Sequence, residues 1–136
     1  MGKLEIVSGK HSKHSIGLHV VWCTKFRHKV LVNGVDIVAK RIIAQTCGEY
    51  EWKCHELEVM PDHVHLFVQI NPTDIPANVA KILKSISAVA IFMAYPELKK
   101  QKFWGTGLWS RGTYYGSVGS VSQEAVIKYI EEQKQN

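Results

Sequence analysis

The run His63-Val64-His65-Leu66-Phe67-Val68-Gln69-Ile70 constrains the fold of this 136-residue chain more than any other stretch. Side chains alternate across an extended strand, so Val64, Leu66, Val68 and Ile70 make one unbroken apolar row. His63 and His65 then project side by side from the opposite face. A strand with a single apolar face needs a covering layer on that face alone, which points to an antiparallel sheet. The two imidazoles stand roughly 6.5–7 Å apart at their Cα atoms. That spacing lets both rings converge on one cation, although strand histidines also serve as ordinary hydrogen-bond partners.

Periodicity places the other elements around this strand. Ile16 to Thr24 is β-rich and leaves through the basic segment Lys25-Phe26-Arg27-His28-Lys29. Val35, Val38, Ile42, Ile43 and Thr46 follow helical spacing, with Asn33 as N-cap and Gly48 as terminator. Trp52 to Met60 reads as a strand, joined through the Pro61-Asp62 turn to the histidine strand as an antiparallel hairpin. A long helix follows over about 75–95, with Val79, Ile82, Leu83, Ile86, Ala90 and Met93 as its apolar stripe and Pro96 as its stop. A basic connector, an aromatic glycine-broken loop over 103–109 and a strand over 111–118 come next. Ser120-Val121-Ser122-Gln123 has the form of a capping box opening a final helix over about 120–134. The order β-α-β-β-α-β-α implies an α+β fold, a ferredoxin-like or RNA-recognition-like antiparallel sheet with helices on one face and the other open to ligand. A loose basic arm over 1–14 (Lys3, Lys10, His11, Lys13, His14) is expected before a single domain over 15–136.

Composition narrows the function classes. The longest wholly apolar run, Ala88 to Ala94, is seven residues, far short of a bilayer span. No apolar leader follows Met1, so no secretory signal is expected. Cys23, Cys47 and Cys54 are odd in number with no C-x-x-C pair, as in reduced thiols of a cytoplasmic protein. A net charge of +5 and a pI near 9.1 fit an anionic partner such as nucleic acid.

Tyr129 lies in the final helix, with Gln133 at i+4 and Val126 at i−3 on the same stripe. It reads either as an amphipathic core residue or as a nucleophile. A phenol with an ordinary pKa near 10 needs help to attack phosphorus at neutral pH. A divalent ion on His63 and His65 would supply that help by polarising the phosphate.

These features resemble the HUH single-tyrosine transposases of small prokaryotic insertion sequences, over nearly the whole chain. Met60-Pro61-Asp62-His63-Val64-His65 is similar to the family's M-P-D-H-V-H signature, the most specific piece. Trp22-Cys23-Thr24-Lys25-Phe26-Arg27 resembles its W-x-x-K-aromatic-R segment, and Leu83-Lys84-Ser85-Ile86-Ser87-Ala88 its L-K-x-x-S-A helix. Trp109-Ser110-Arg111-Gly112 and Gly116-Ser117-Val118-Gly119 resemble the strand before its tyrosine helix. Thr113 departs from the pattern, which has an aromatic there.

The resemblance implies a metal-dependent transposase that cleaves and rejoins single-stranded DNA through a 5′-phosphotyrosine and recognises hairpins at element ends. Tyr129 would be the nucleophile, and His63, His65 and Gln133 would hold Mg²⁺ or Mn²⁺. The partners implied are hairpin DNA and a second copy in a homodimer, each tyrosine helix completing the other subunit's site, with Gly112, Gly116 and Gly119 as a hinge. Lys25, Arg27, Lys29, Lys84 and Arg111 are candidate phosphate contacts, and Trp104, Trp109 and Tyr115 candidate stacking residues, the two tryptophans being equally suited to capping the core or the dimer seam. The enzyme would be cytoplasmic, associated with the nucleoid when on DNA.

Two other classes compete. A non-catalytic nucleic-acid-binding module on the same sheet lacks the glycine-aromatic motif of RNA-recognition domains. A metal-dependent phosphodiester hydrolase lacks a carboxylate cluster beyond Glu56, Glu58 and Asp62. His11, His14, His19, His28 and His55 have no partner at ligand spacing.

Overall fold

The computed structural model describes residues 4–8, 13–103, 106–117 and 123–133. Strands β1 (Val7–Ser8) and β2 (Lys13–His14) pair as a small ribbon. The main sheet holds β3 (Ile16–Cys23), β4 (Lys53–Met60), β5 (His63–Ile70) and β6 (Tyr114–Ser117), antiparallel in the order β4-β5-β3-β6. Helices α1 (Val35–Glu49) and α2 (Pro76–Ala94) supply the crossovers. A short α3 (Pro96–Leu98) continues into a π-turn over Lys99–Phe103, and α4 (Gln123–Glu132) comes last. This is the ferredoxin-like α+β arrangement that the element order implied.

The core lies between the sheet and the first two helices. Val20 and Trp22 of β3 and Val64, Leu66, Val68 and Ile70 of β5 pack on Ala39 and Ile43 of α1 and Val79, Leu83 and Ile91 of α2. All are nearly or completely buried, and each large apolar side chain among them contributes about 1.5–3 kcal/mol by leaving water.

Several local expectations are corrected. α1 begins at Val35, with Gly34 rather than Asn33 as N-cap. Gly34 sits at φ +102°, and a Cβ there would fall 2.7 Å from the Tyr95 hydroxyl, so glycine is needed twice over. Gly48 lies inside α1, and the left-handed residue after the helix is Glu51. The buried face of α2 runs Val79, Ala80, Leu83, Ser87, Ile91, not through Ile86, while Met93 is exposed. Ser87 takes a core position because its hydroxyl donates to the Leu83 carbonyl at 2.6 Å and accepts from the Trp109 indole at 3.0 Å. Trp109 is thereby a buried core residue, edge-on to Trp22 and closed to bases. Tyr115 is exposed, and Trp104 lies outside the described residues.

The second sheet face is also less open than expected. His19, Val21, Cys23, Phe67 and Gln69 alternate onto it, yet all are buried. α4 packs against β3 at one end of this face. At the other end, Gln69 exchanges hydrogen bonds with the backbone N–H and carbonyl of Glu5. The segment over 4–8 is therefore docked, while Lys3, Lys10 and His11 of the expected arm lie outside the described residues.

Candidate active site

His63 and His65 open β5, opposite Cys23 and Val21 of β3. The Pro61-Asp62 turn puts a carboxylate directly before the first histidine. Asp62 Oδ1 lies 2.8 Å from His63 Nδ1, and its Oδ2 accepts from Arg27 Nε and a terminal guanidinium nitrogen at 2.9 and 2.8 Å. Burial works to raise the Asp62 pKa, but the hydrogen bonds from His63 and Arg27 outweigh it and hold the carboxyl below its usual range. An ionised Asp62 accepts the Nδ1 proton of His63 and leaves Nε2 as the lone pair free for a ligand, a common arrangement behind metal-binding histidines. Phe26 and Arg27 sit at φ 56° and 52°. Left-handed backbone costs about 1–2 kcal/mol per non-glycine residue, and here it aims the guanidinium at Asp62.

His65 has a partner that spacing alone did not reveal. Its Nε2 lies 3.2 Å from Nδ1 of His19. His19 stacks on Phe67 at 4.9 Å between centroids, and His55 stacks on Phe67 at 5.1 Å. A bulge in β4 between Cys54 and Glu56 brings His55 Nε2 to 2.9 Å from Gln69 Oε1. Burial lowers the pKa of both His19 and His65. Neutral imidazoles at pH 7 have the lone pairs that ligation requires. The β3–β5 register puts the His19, Val21, Cys23 row beside the His63, His65, Phe67 row on one sheet face, and that register is not fixed by the spacing within either strand.

The final helix brings Tyr129 and Gln133 to one point. A Cβ built on Gly112 would lie 3.1 Å from Gln133 Oε1 and 3.3 Å from the Tyr129 hydroxyl. Ser110 Oγ donates to Gln133 Oε1 at 3.4 Å, and the Tyr129 ring packs 5.8 Å from that of Tyr114. The Tyr129 hydroxyl is buried without a hydrogen-bond partner among the described residues. Burial, before any neighbouring charge, raises its pKa well above the ordinary phenol value. Cys23, whose charge would further disfavour the phenolate, is itself pushed up to about 11 by burial and is a neutral thiol at pH 7. α4 contacts β3, whose Cys23 pairs with His63 across the β3–β5 ladder.

The candidate phosphate contacts divide. Lys29 and Arg111 are exposed, and Lys25 is half-buried with its ammonium 6.0 Å over the Phe26 ring. Arg27 is committed to Asp62. Lys84 is committed to the 110–113 loop, donating to the carbonyls of Ser110, Arg111 and Gly112 and to Thr113 Oγ1. In this DNA-free structure the Lys84 donors face that loop. Thr113, the departure from the family pattern, supplies one of those acceptors. Gly116 pairs with His19 inside the sheet and is no hinge, while Gly119 lies outside the described residues.

Among the described residues no three His, Cys, Asp or Glu side chains gather to hold a metal. Two imidazoles therefore need a different third donor, and the Gln133 amide oxygen has the right chemistry. Such a mixed nitrogen–oxygen set suits Mg²⁺ or Mn²⁺ with several waters better than a closed zinc site.

The chain is similar to known proteins over most of its length. The family model described as "Transposase IS200 like" matches residues 12–133. The ISDra2 transposase TnpA of Deinococcus radiodurans is 36% identical over 130 residues, covering 96% of this chain and 92% of the relative. The transposase of insertion sequence element IS200 from Salmonella typhimurium is 25% identical, covering 91% and 83%. A crystal structure of a candidate transposase from Deinococcus radiodurans superimposes with a TM-score of 0.83 at 34% identity, covering 93% and 97%. A REP-associated tyrosine transposase, solved on a REP hairpin, shares the fold with a TM-score of 0.55 at 10% identity over 85% of this chain and 62% of that one. The chain belongs to the IS200-like transposase family.

Proposed function

We propose that this transposase cleaves and rejoins single-stranded DNA through Tyr129, with His63, His65 and Gln133 holding Mg²⁺ or Mn²⁺. The convergence of the Tyr129 hydroxyl and the Gln133 amide oxygen above Gly112, beside the histidine strand, carries the reading. The bound ion would polarise the scissile phosphate. The Tyr129 oxygen attacks phosphorus, the bond to the 3′-oxygen breaks, and the products are a 5′-phosphotyrosine and a 3′-hydroxyl. A later 3′-hydroxyl attack reverses these bond changes and frees the tyrosine, so the phosphodiester energy is conserved. Asp62 and Arg27 hold the His63 ring, and His19 holds that of His65. Burial disfavours the phenolate in the free protein, so a bound ion and phosphate would ease loss of the phenol proton.

The substrate in this reading is a DNA hairpin, supported by the REP hairpin on the distant structural neighbour and by exposed Lys29 and Arg111. The reading includes a homodimer acting on DNA in the cytoplasm. The outward side of α2, where Val89 and Met93 are exposed beside Ile86 and Ala90, is an apolar strip that a second subunit would cover. α4 rests on its own β3 here, so exchange between subunits would move that helix as a unit.

The test is incubation with Mg²⁺ and hairpin-bearing oligonucleotides, followed by denaturing electrophoresis. A covalent protein–DNA adduct is expected, absent in Tyr129→Phe and strongly reduced in His63→Ala. An adduct that persists in Tyr129→Phe would show the nucleophile to be another residue. Release of 5′-phosphate without an adduct would mark a hydrolase.

A further inference from the structure

The stretch that receives Tyr129 and Gln133 is an interruption in the sheet. Thr24 pairs with Trp109 and Val21 with Tyr114, so three steps along β3 are matched by five on the facing strand. Two extra residues are thus thrown out of the ladder around Arg111, Gly112 and Thr113. Their carbonyls lose regular cross-strand partners, and buried or half-buried carbonyls must find others.

Lys84 of α2 supplies them. Its ammonium lies 2.8 Å from the Ser110 carbonyl, 3.4 Å from that of Arg111, 3.3 Å from that of Gly112 and 3.2 Å from Thr113 Oγ1. Among the described residues no carboxylate is recorded pairing with it, so the three carbonyls and the Thr113 hydroxyl are its protein partners. One turn of α2 is locked to the same segment from below, since the Trp109 indole donates to the Lys84 carbonyl at 3.1 Å as well as to Ser87. On the other side, the same four-residue bulge meets α4 through Ser110 and Gly112.

We propose that Lys84 is a positioning residue: its ammonium folds 110–113 into the seat on which α4 sets Tyr129 and Gln133. The catalytic consequence rests on the tyrosine reading above, whereas the seat itself does not. It sets Lys84 apart from a phosphate contact.

The discriminating variant is Lys84→Met, which keeps the length and removes the charge. In metal-free protein, amide exchange over 123–133 is expected to quicken about ten- to a hundredfold while β5 stays protected. Hairpin affinity and its salt slope should remain unchanged, and adduct formation should slow by about ten- to a hundredfold. Lys84→Arg should not restore either readout, because a planar guanidinium cannot curl its donors around one point. Thr113→Val, a milder change that removes one acceptor, should move exchange in the same direction by about threefold.

Unchanged exchange over 123–133 in Lys84→Met would overturn the proposal. So would a salt slope reduced by about one with a normal adduct rate, the signature of a lost phosphate contact. Equal quickening in β3, β5 and α4 would reduce Lys84 to an ordinary core residue and overturn it too. Exchange requires neither DNA nor chemistry, so an adduct persisting in Tyr129→Phe would refute the tyrosine reading and leave the seat standing.

Discussion

Replacing Gly112 by alanine separates the geometry of the seat from the stability of the fold. The added methyl would stand 3.1 Å from Gln133 Oε1, 3.3 Å from the Tyr129 hydroxyl and 3.7 Å from Gln133 Cδ. The first two are tighter than ordinary carbon–oxygen contact, so the tips of the Gln133 and Tyr129 side chains must yield by a few tenths of an ångström. Gly112 has no positive φ, so alanine brings no left-handed strain. By restricting the unfolded chain it stabilises by about 0.4–1 kcal/mol, which largely offsets the crowding. Unfolding free energy is therefore expected to change by less than about 1 kcal/mol. Chemistry should respond more strongly. A displacement of about 1 Å can cost about a hundredfold in rate, so a few tenths corresponds to about three- to tenfold. The assay is single-turnover adduct formation on a hairpin oligonucleotide in Mg²⁺, beside urea unfolding of the same preparation. A Gly112→Ala enzyme with the wild-type rate would refute the claim that Tyr129 and Gln133 act from this seat. A slower rate accompanied by more than about 2 kcal/mol of destabilisation would assign the loss to folding instead.

Asp62→Asn should weaken Mn²⁺ binding, measured by calorimetry, by about ten- to a hundredfold, because the amide no longer fixes the His63 ring as a carboxylate does; unaltered affinity would remove Asp62 from the site. Stability should fall as pH drops below about 6.5, the unfolded histidine pKa. His19 and His65, both depressed by burial, refuse protons in the folded state that the unfolded chain accepts. Their contribution is thus complete above that pH and lost on the way down to the folded values, at up to about 1.4 kcal/mol per pH unit for each group. His19→Gln should flatten the slope between pH 7 and 5 in urea titrations, and an unchanged slope would show that His19 titrates normally.

Much of this molecule was legible in one dimension. The alternation of β5, the hairpin at Pro61-Asp62 and the helix before Pro96 are local patterns that local physics enforces, although the face that α2 buries differs from the expected stripe, and the element order then admits few topologies. His63 and His65 stand out from strand spacing alone, whereas the roles given to Tyr129 and Gln133 come with the family resemblance. The partners of those residues were not legible. Arg27 meets Asp62 across 35 positions and His65 meets His19 across 46, separations that no periodicity encodes. Lys84 reads as a candidate phosphate contact in the sequence, and Ser87 does not belong to the apolar stripe expected of α2. Only the bulge at 110–113 and the Trp109 indole, arriving from the far end of the chain, supply the acceptors and donor that decide both. Charge and hydrogen-bonding capacity are properties of a residue, but whether they face water, a phosphate or a carbonyl is settled by what the folded chain brings to within about 3 Å.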